Sequence, residues 1–157
     1  MDLEQIYWNL EKRGYHLIHE RSLAPQIDVS LPLLLDNLLQ NPRRELINSV
    51  PVLLNNASAS ELEQTCDFYS CSKLINPVSY LFETVARTSG SKTGKEDYFK
   101  VYVENLSPSP AEYIIPDFKS KNTIDYLREI RTDIAQKWGV VDVNREDDFR
   151  EIIAMYL

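Results

Sequence analysis

Three side chains in this sequence have the types and the spacing for metal-assisted chemistry: Asp97, Asp117 and Lys119. From Tyr98 to Asn105 the chain alternates, which predicts a strand with Phe99, Val101 and Val103 on one side. Tyr98, Lys100, Tyr102 and Glu104 take the other side. Ser107-Pro-Ser-Pro110 turns the chain, and Glu112 to Pro116 can return beside it. The expectation is a small β-hairpin near 97–116 with one wet face. In an antiparallel pair, the start of one strand neighbours the end of the next, so Asp97 would meet Asp117-Phe-Lys119. Two carboxylates there could hold Mg²⁺ while the lysine steadies a developing phosphoryl charge. The wet face offers another use. Tyr98 and Tyr102, interleaved with Lys100 and joined by Tyr113, suit either stacked bases or a protein interface.

Other constellations fail on spacing. Gly90-Ser-Lys-Thr-Gly94-Lys95 puts three residues between its glycines, follows a helix and runs on into Glu96, so it cannot cradle a phosphate. His16, His19 and Glu20 match neither arrangement of a zinc protease, and on a strand the two rings point apart. Cys66 and Cys71 form neither a zinc set nor a disulfide framework. No serine occupies a nucleophile elbow. No cofactor is expected.

The formal net charge is −7, unevenly spread. Residues 1–86 carry −5, residues 87–121 carry +1, and residues 122–157 carry −3. A long nucleic-acid groove needs a basic stripe, and no segment has one. A basic protein is the better electrostatic partner. With 157 residues, 43% hydrophobic and 26% charged, one globular domain is expected, its helical part spanning 1–88 and its hairpin and last helices 96–157. The start Met-Asp-Leu-Glu-Gln reads as no signal peptide, the apolar runs are short of a membrane span, and the compartment expected is cytoplasmic.

The elements that must position these groups are mostly helices. Asp2 caps a first helix that Gly14 stops. Residues 15–20 read as a strand and 21–29 as a connector. Ser30–Ala57 is the most apolar stretch, a helical hairpin capped at Ser30 and Asn41, with Pro51 forcing a kink or a restart. Ser60-Glu-Leu-Glu63 is a capping box for a helix over 61–71, and Asn76-Pro77 opens another. Asn41-Pro42 and Asn76-Pro77 lie 35 residues apart, with further matches at Leu46/Leu81 and Val50/Val85, so a helical-hairpin repeat competes with a simple bundle. Ile124, Leu127, Arg131, Ile134 and Trp138 predict one helix ended by Gly139, with Asp133 and Lys137 paired on its surface. Asn144 caps the last helix, whose outer face carries Glu146, Asp147, Asp148 and Glu151.

Pro42-Arg43, Pro51-Val-Leu-Leu54 and Tyr80-Leu-Phe-Glu83 look a little like the helical region of some prokaryotic antitoxin-type regulators. That likeness covers about forty residues, rests on apolar helix positions, carries no diagnostic motif and assigns no family. The Asp97, Asp117 and Lys119 set resembles the paired-carboxylate and lysine pattern of metal-dependent nucleases over some twenty residues.

The fold expected is mostly α (α+β), about six helices with a small β-hairpin. The function expected is a non-enzymatic interaction or regulatory protein, of neutraliser, immunity, antitoxin-like or adaptor kind. Its interface would be Tyr98, Lys100 and Tyr102, steered by Glu146, Asp147, Asp148 and Glu151. A homo-oligomer is compatible with this. The alternative is a metal-dependent nuclease or phosphodiesterase using Asp97, Asp117 and Lys119. A third reading is a DNA-binding regulator that uses Arg43, Arg44 and the 87–121 loop region.

Overall fold

The computed structural model describes residues 1–16, 24–40, 42–89, 101–104, 106–115 and 120–156. Outside them fall the expectations placed on His19, Glu20, Asn41, the glycine loop at 90–95, Asp97, Tyr98, Lys100, Asp117 and Lys119.

The molecule is mostly helical, with nine full helices and one two-stranded sheet among the described residues. Helix α1 (Leu3–Lys12) starts where the Asp2 carboxylate accepts from the Gln5 N–H, and Gly14 turns the chain at φ 94°. Then come α2 (Leu31–Gln40), α3 (Arg44–Ile47), α4 (Val50–Asn56), α5 (Ala59–Tyr69) and α6 (Ile75–Ser89). Strand β1 (Tyr113–Ile114) precedes α7 (Lys121–Ile130) and α8 (Asp133–Lys137), and β2 (Val140–Val141) leads to α9 (Glu146–Met155).

The hub is α6. Eleven of its fifteen residues are buried, on every side, as befits a helix packed from all directions. Helices α4, α8 and α9 and strand β2 all lie against it, while α2 packs on α5 and α3. The apolar stretch 30–57 fills the core as expected, but α6 is what the other elements share.

Several local expectations change. Pro51 restarts the helix: α3 ends at Ile47, and α4 opens with Pro51 in its first turn, where its missing N–H is harmless. The stretch from 44 to 56 is therefore broken where α6 is continuous, and the 35-residue repeat does not extend to the structure. The capping box is Ser58 with Glu61, two residues before the one expected, and Glu61 is also drawn in by Arg13. The helix expected over 124–138 splits at Arg131, because Thr132 caps α8 by accepting from the Ala135 N–H. Asp133 and Lys137 do not pair; they reach Arg87 and Glu83 on α6. Arg145, not Asn144, occupies the cap position of α9, with its N–H donating to Asp148.

The largest correction concerns the β-hairpin near 97–116. Residues 101–104 are helical. Val101 is 58% exposed and Val103 4%, so residues two apart face opposite ways, as a 100° helical step requires and a strand forbids. Strand β1 instead pairs in parallel with β2, Tyr113 opposite Val140 and Ile114 opposite Val141. Parallel pairing needs a long crossover, which α7 and α8 supply. The supposed turn at 107–110 is held by the buried Asn76 amide, which grips Ser109 from both sides.

Candidate functional site

Glu83 and Arg87 stand one turn apart on α6 and look across a groove. On its other sides are Val103 and Glu104 of the helical segment 101–104, and Ile134 and Lys137 of α8. The groove holds about 410 Å³, and Val103 and Ile134 make it apolar at the bottom. Its rim is charged. Glu83 accepts from Lys137 at 2.5 Å and from the indole N–H of Trp138 at 3.1 Å. Trp138 is fully buried, so Glu83 satisfies an indole donor that would otherwise be stranded. Arg87 forks onto both oxygens of Asp133, at 2.7 and 2.9 Å, and also reaches Glu146 at 2.8 Å. That bidentate grip depresses the Asp133 carboxyl to about 2, and Asp133 with Glu146 holds the guanidinium more firmly protonated. Glu104 is exposed and ion-paired to no described residue.

One turn down α6, Tyr80 leads to a second polar centre. Its hydroxyl donates to Asp142 at 2.7 Å, and the Asn144 N–H donates to the other oxygen of that carboxylate at 2.9 Å. Asp142 follows β2 directly. The residue keeps some solvent exposure, yet protein atoms crowd its carboxyl, and burial raises it to about 6. The two hydrogen bonds oppose that rise and the nearby Asp148 adds to it. The Tyr80 hydroxyl is pushed well above its usual range, first by burial and then by Asp142. Asn144 also donates to the side chain of Asn48, tying the start of α9 to the α3–α4 turn.

The expected interface residues are distributed differently. Tyr102 packs on the core and its hydroxyl donates to the Ala59 carbonyl, so it points to the start of α5 and not to a wet sheet face. Tyr113 donates to the Leu39 carbonyl at 2.6 Å. On α9, Glu146 is taken by Arg87 and Arg150, Asp147 pairs with Arg150, and Asp148 caps its own helix. Glu151 is exposed. The two halves of that interface are thus anchored to different helices, Tyr102 to α5 and Glu146 to α6.

Arg43 and Arg44 are exposed at the start of α3. Asp97, Asp117 and Lys119 are not described, but the ladder that was to join their strands is not formed by residues 101–104 and 113–114. Among the described residues no three His, Cys, Asp or Glu side chains cluster as a metal site, and no helix is long and apolar enough to cross a membrane. Both cysteines are free thiols, and burial raises that of Cys66 to about 12, which leaves it inert.

Sequence reasoning missed Glu83, Arg87 and Asp142. The first two did carry a signal: opposite charges four apart on an otherwise buried helix. Asp142 carried a fainter one, a lone acid between Val140-Val141 and Val143. No protein-family model, curated protein or solved structure matches this chain.

Proposed function

We propose that this chain is a non-enzymatic binding protein that takes a segment of a basic partner protein, apolar and cationic together, into the groove between α6, α8 and residues 101–104. One observation carries this reading: an apolar floor beneath a rim whose two cations already face carboxylates while one of its two acids, Glu104, faces none among the described residues. Arg87 and Lys137 each already face carboxylates, Arg87 two of them, and Glu104 has no cation among the described residues. An apolar centre inside a charged rim is the anatomy of a protein interface. The uncompensated Glu104 selects the sign of the partner, and the net charge of −7 adds long-range attraction. Neutralising a basic protein, as immunity proteins and antitoxins do, or adapting one to another target, fits this chemistry.

A photo-crosslinking residue placed at Ala86, which lines the groove, with the same residue at the exposed Gln64 of α5 as control, tests the reading. The expected result is a single basic protein joined at position 86 alone, with the yield falling as salt screens the rim. Equal joining at position 64, an acidic partner, or a yield indifferent to salt would each overturn it.

A further inference from the structure

Among the described residues the Asp142 carboxyl has no cation paired to it; its hydrogen bonds come from Tyr80 and Asn144. Arg131 lines the same small cavity and is turned to Glu112 at 3.6 Å. Arg87 is committed to Asp133 and Glu146, and Arg145 lies exposed at the α9 cap. Apart from Arg131 and Arg145, which line the cavity without pairing to it, what faces Asp142 is acidic or neutral: Tyr80 from α6, Tyr113 from β1, Glu146 and Asp148 from α9, and the Asn144 N–H. Asp142 is also mechanically placed. Its two oxygens join Tyr80 of α6 to the turn that begins α9, and the Tyr80 ring meets Phe149 of α9 edge-on at 6.2 Å.

We infer that Asp142 is a proton-operated latch: with its carboxyl protonated α9 is held firmly against α6, and with it ionised the hold weakens. The neutral form suits its surroundings better. A protonated carboxyl donates to the Tyr80 hydroxyl, which then turns its own proton to Thr84, one helical turn on. Thr84 is 2% exposed and its hydroxyl otherwise has no well-formed hydrogen bond among the described residues. Ionisation instead places a negative charge in a crowded site, beside Glu146 and Asp148 and without a counterion. The adjoining cavity, about 30 Å³ and lined by Tyr80, Thr84, Asp142 and Asn144, has room for a water molecule or two through which the proton exchanges. The sign follows from linkage. A carboxyl raised to about 6 in the closed state and ordinary in the open one favours closure at acid pH, and that preference fades as pH rises through 6.

Amide hydrogen exchange of the intact chain at about pH 5 and about pH 7.5, corrected for intrinsic rates, tests the latch. The α9 amides of Ile152 and Ile153 should lose about tenfold in protection across that interval, while Leu62 and Tyr69 of α5 keep theirs. Asp142→Asn, which keeps the shape and cannot ionise, should abolish the loss. A carbon-detected titration of the Asp142 carboxyl should show a midpoint near 6. An equal loss in α5, a loss that persists in Asp142→Asn, or a midpoint in the ordinary carboxylate range would each overturn the inference.

Discussion

Two buried asparagines do the same work on different helices, and they do it with different support. Asn9 of α1 and Asn76 of α6 are 0% and 1% exposed, and each grips the backbone of a non-helical segment through both its N–H and its C=O groups. The Asn9 carbonyl accepts from the Val29 N–H, and its amide donates to the Ile27 carbonyl and, within its own helix, to Gln5. Asn76 accepts from the Ser109 N–H and spends both amide protons outward, on the carbonyls of Ser109 and Ala111. The first segment has further restraint: Arg13 donates to the Val29 carbonyl while paired with Glu61, and Lys12 meets Asp28. The second segment runs straight on into β1, where the Tyr113 N–H reaches the Gly139 carbonyl. Each strand of the sheet has only two residues, so the flanking backbone needs side-chain partners for its polar groups. An asparagine can be that partner because it carries the peptide's own donor and acceptor on one side chain.

The clamp with more bonds to its segment should be the costlier to lose. Asn76→Ala removes three hydrogen bonds to its segment, and urea unfolding should show a loss of about 3 kcal/mol. It should also unsettle β1, seen as faster amide exchange at Tyr113 and Ile115. Asn9→Ala removes two bonds to its segment and leaves Arg13 in place, so about 2 kcal/mol or less is expected. Equal losses at the two sites would break the distinction between them. A double-mutant cycle sharpens it. Asn9 and Arg13 hold the same residue, Val29, so Asn9→Ala and Arg13→Ala should couple by about 0.5–1 kcal/mol, whereas Asn76→Ala and Arg13→Ala should add.

How far the sequence shows these features depends on whether the signal is local. The ends of α1 were legible because Asp2 and Gly14 act within a turn of themselves. The inward faces of α5 and α6 were legible because apolar periodicity fixes them: Leu62, Cys66 and Tyr69, and Tyr80, Leu81 and Val85, are all buried. The small sheet was not. Phe99, Val101 and Val103 alternate as a strand would, yet Val103 is fixed by packing beside α6 and α8, which no local pattern encodes. Asn76 looked like a cap because Pro77 follows it; its partners lie 33 and 35 residues away. The groove was half visible. The pair Glu83 and Arg87 has helical spacing, but their partners Lys137, Asp133 and Glu146 come from elements that only the fold brings near. On the acidic face of α9 the same holds for Glu146, whose partner Arg87 comes from α6.

The smallest effect expected belongs to Lys12 and Asp28, and it is the one that separates hydrogen bonding from charge at the first clamp. Their side chains meet at 2.7 Å but are 49% and 53% exposed, so water screens the attraction. The Lys12 ammonium nonetheless holds the Asp28 carboxyl below its usual range, chiefly through their hydrogen bond. A depressed carboxyl contributes stability that is present above its unfolded value and is lost as pH falls through the folded one. Asp28→Asn should therefore cost about 0.5 kcal/mol or less near neutrality, and less again in high salt or in acid. Urea midpoints for both chains under the three conditions would measure this. If Asp28→Asn instead costs as much as Asn9→Ala and resists salt, the ion pair and not the buried amide holds residues 27–29, and the likeness between the two asparagines is one of shape alone.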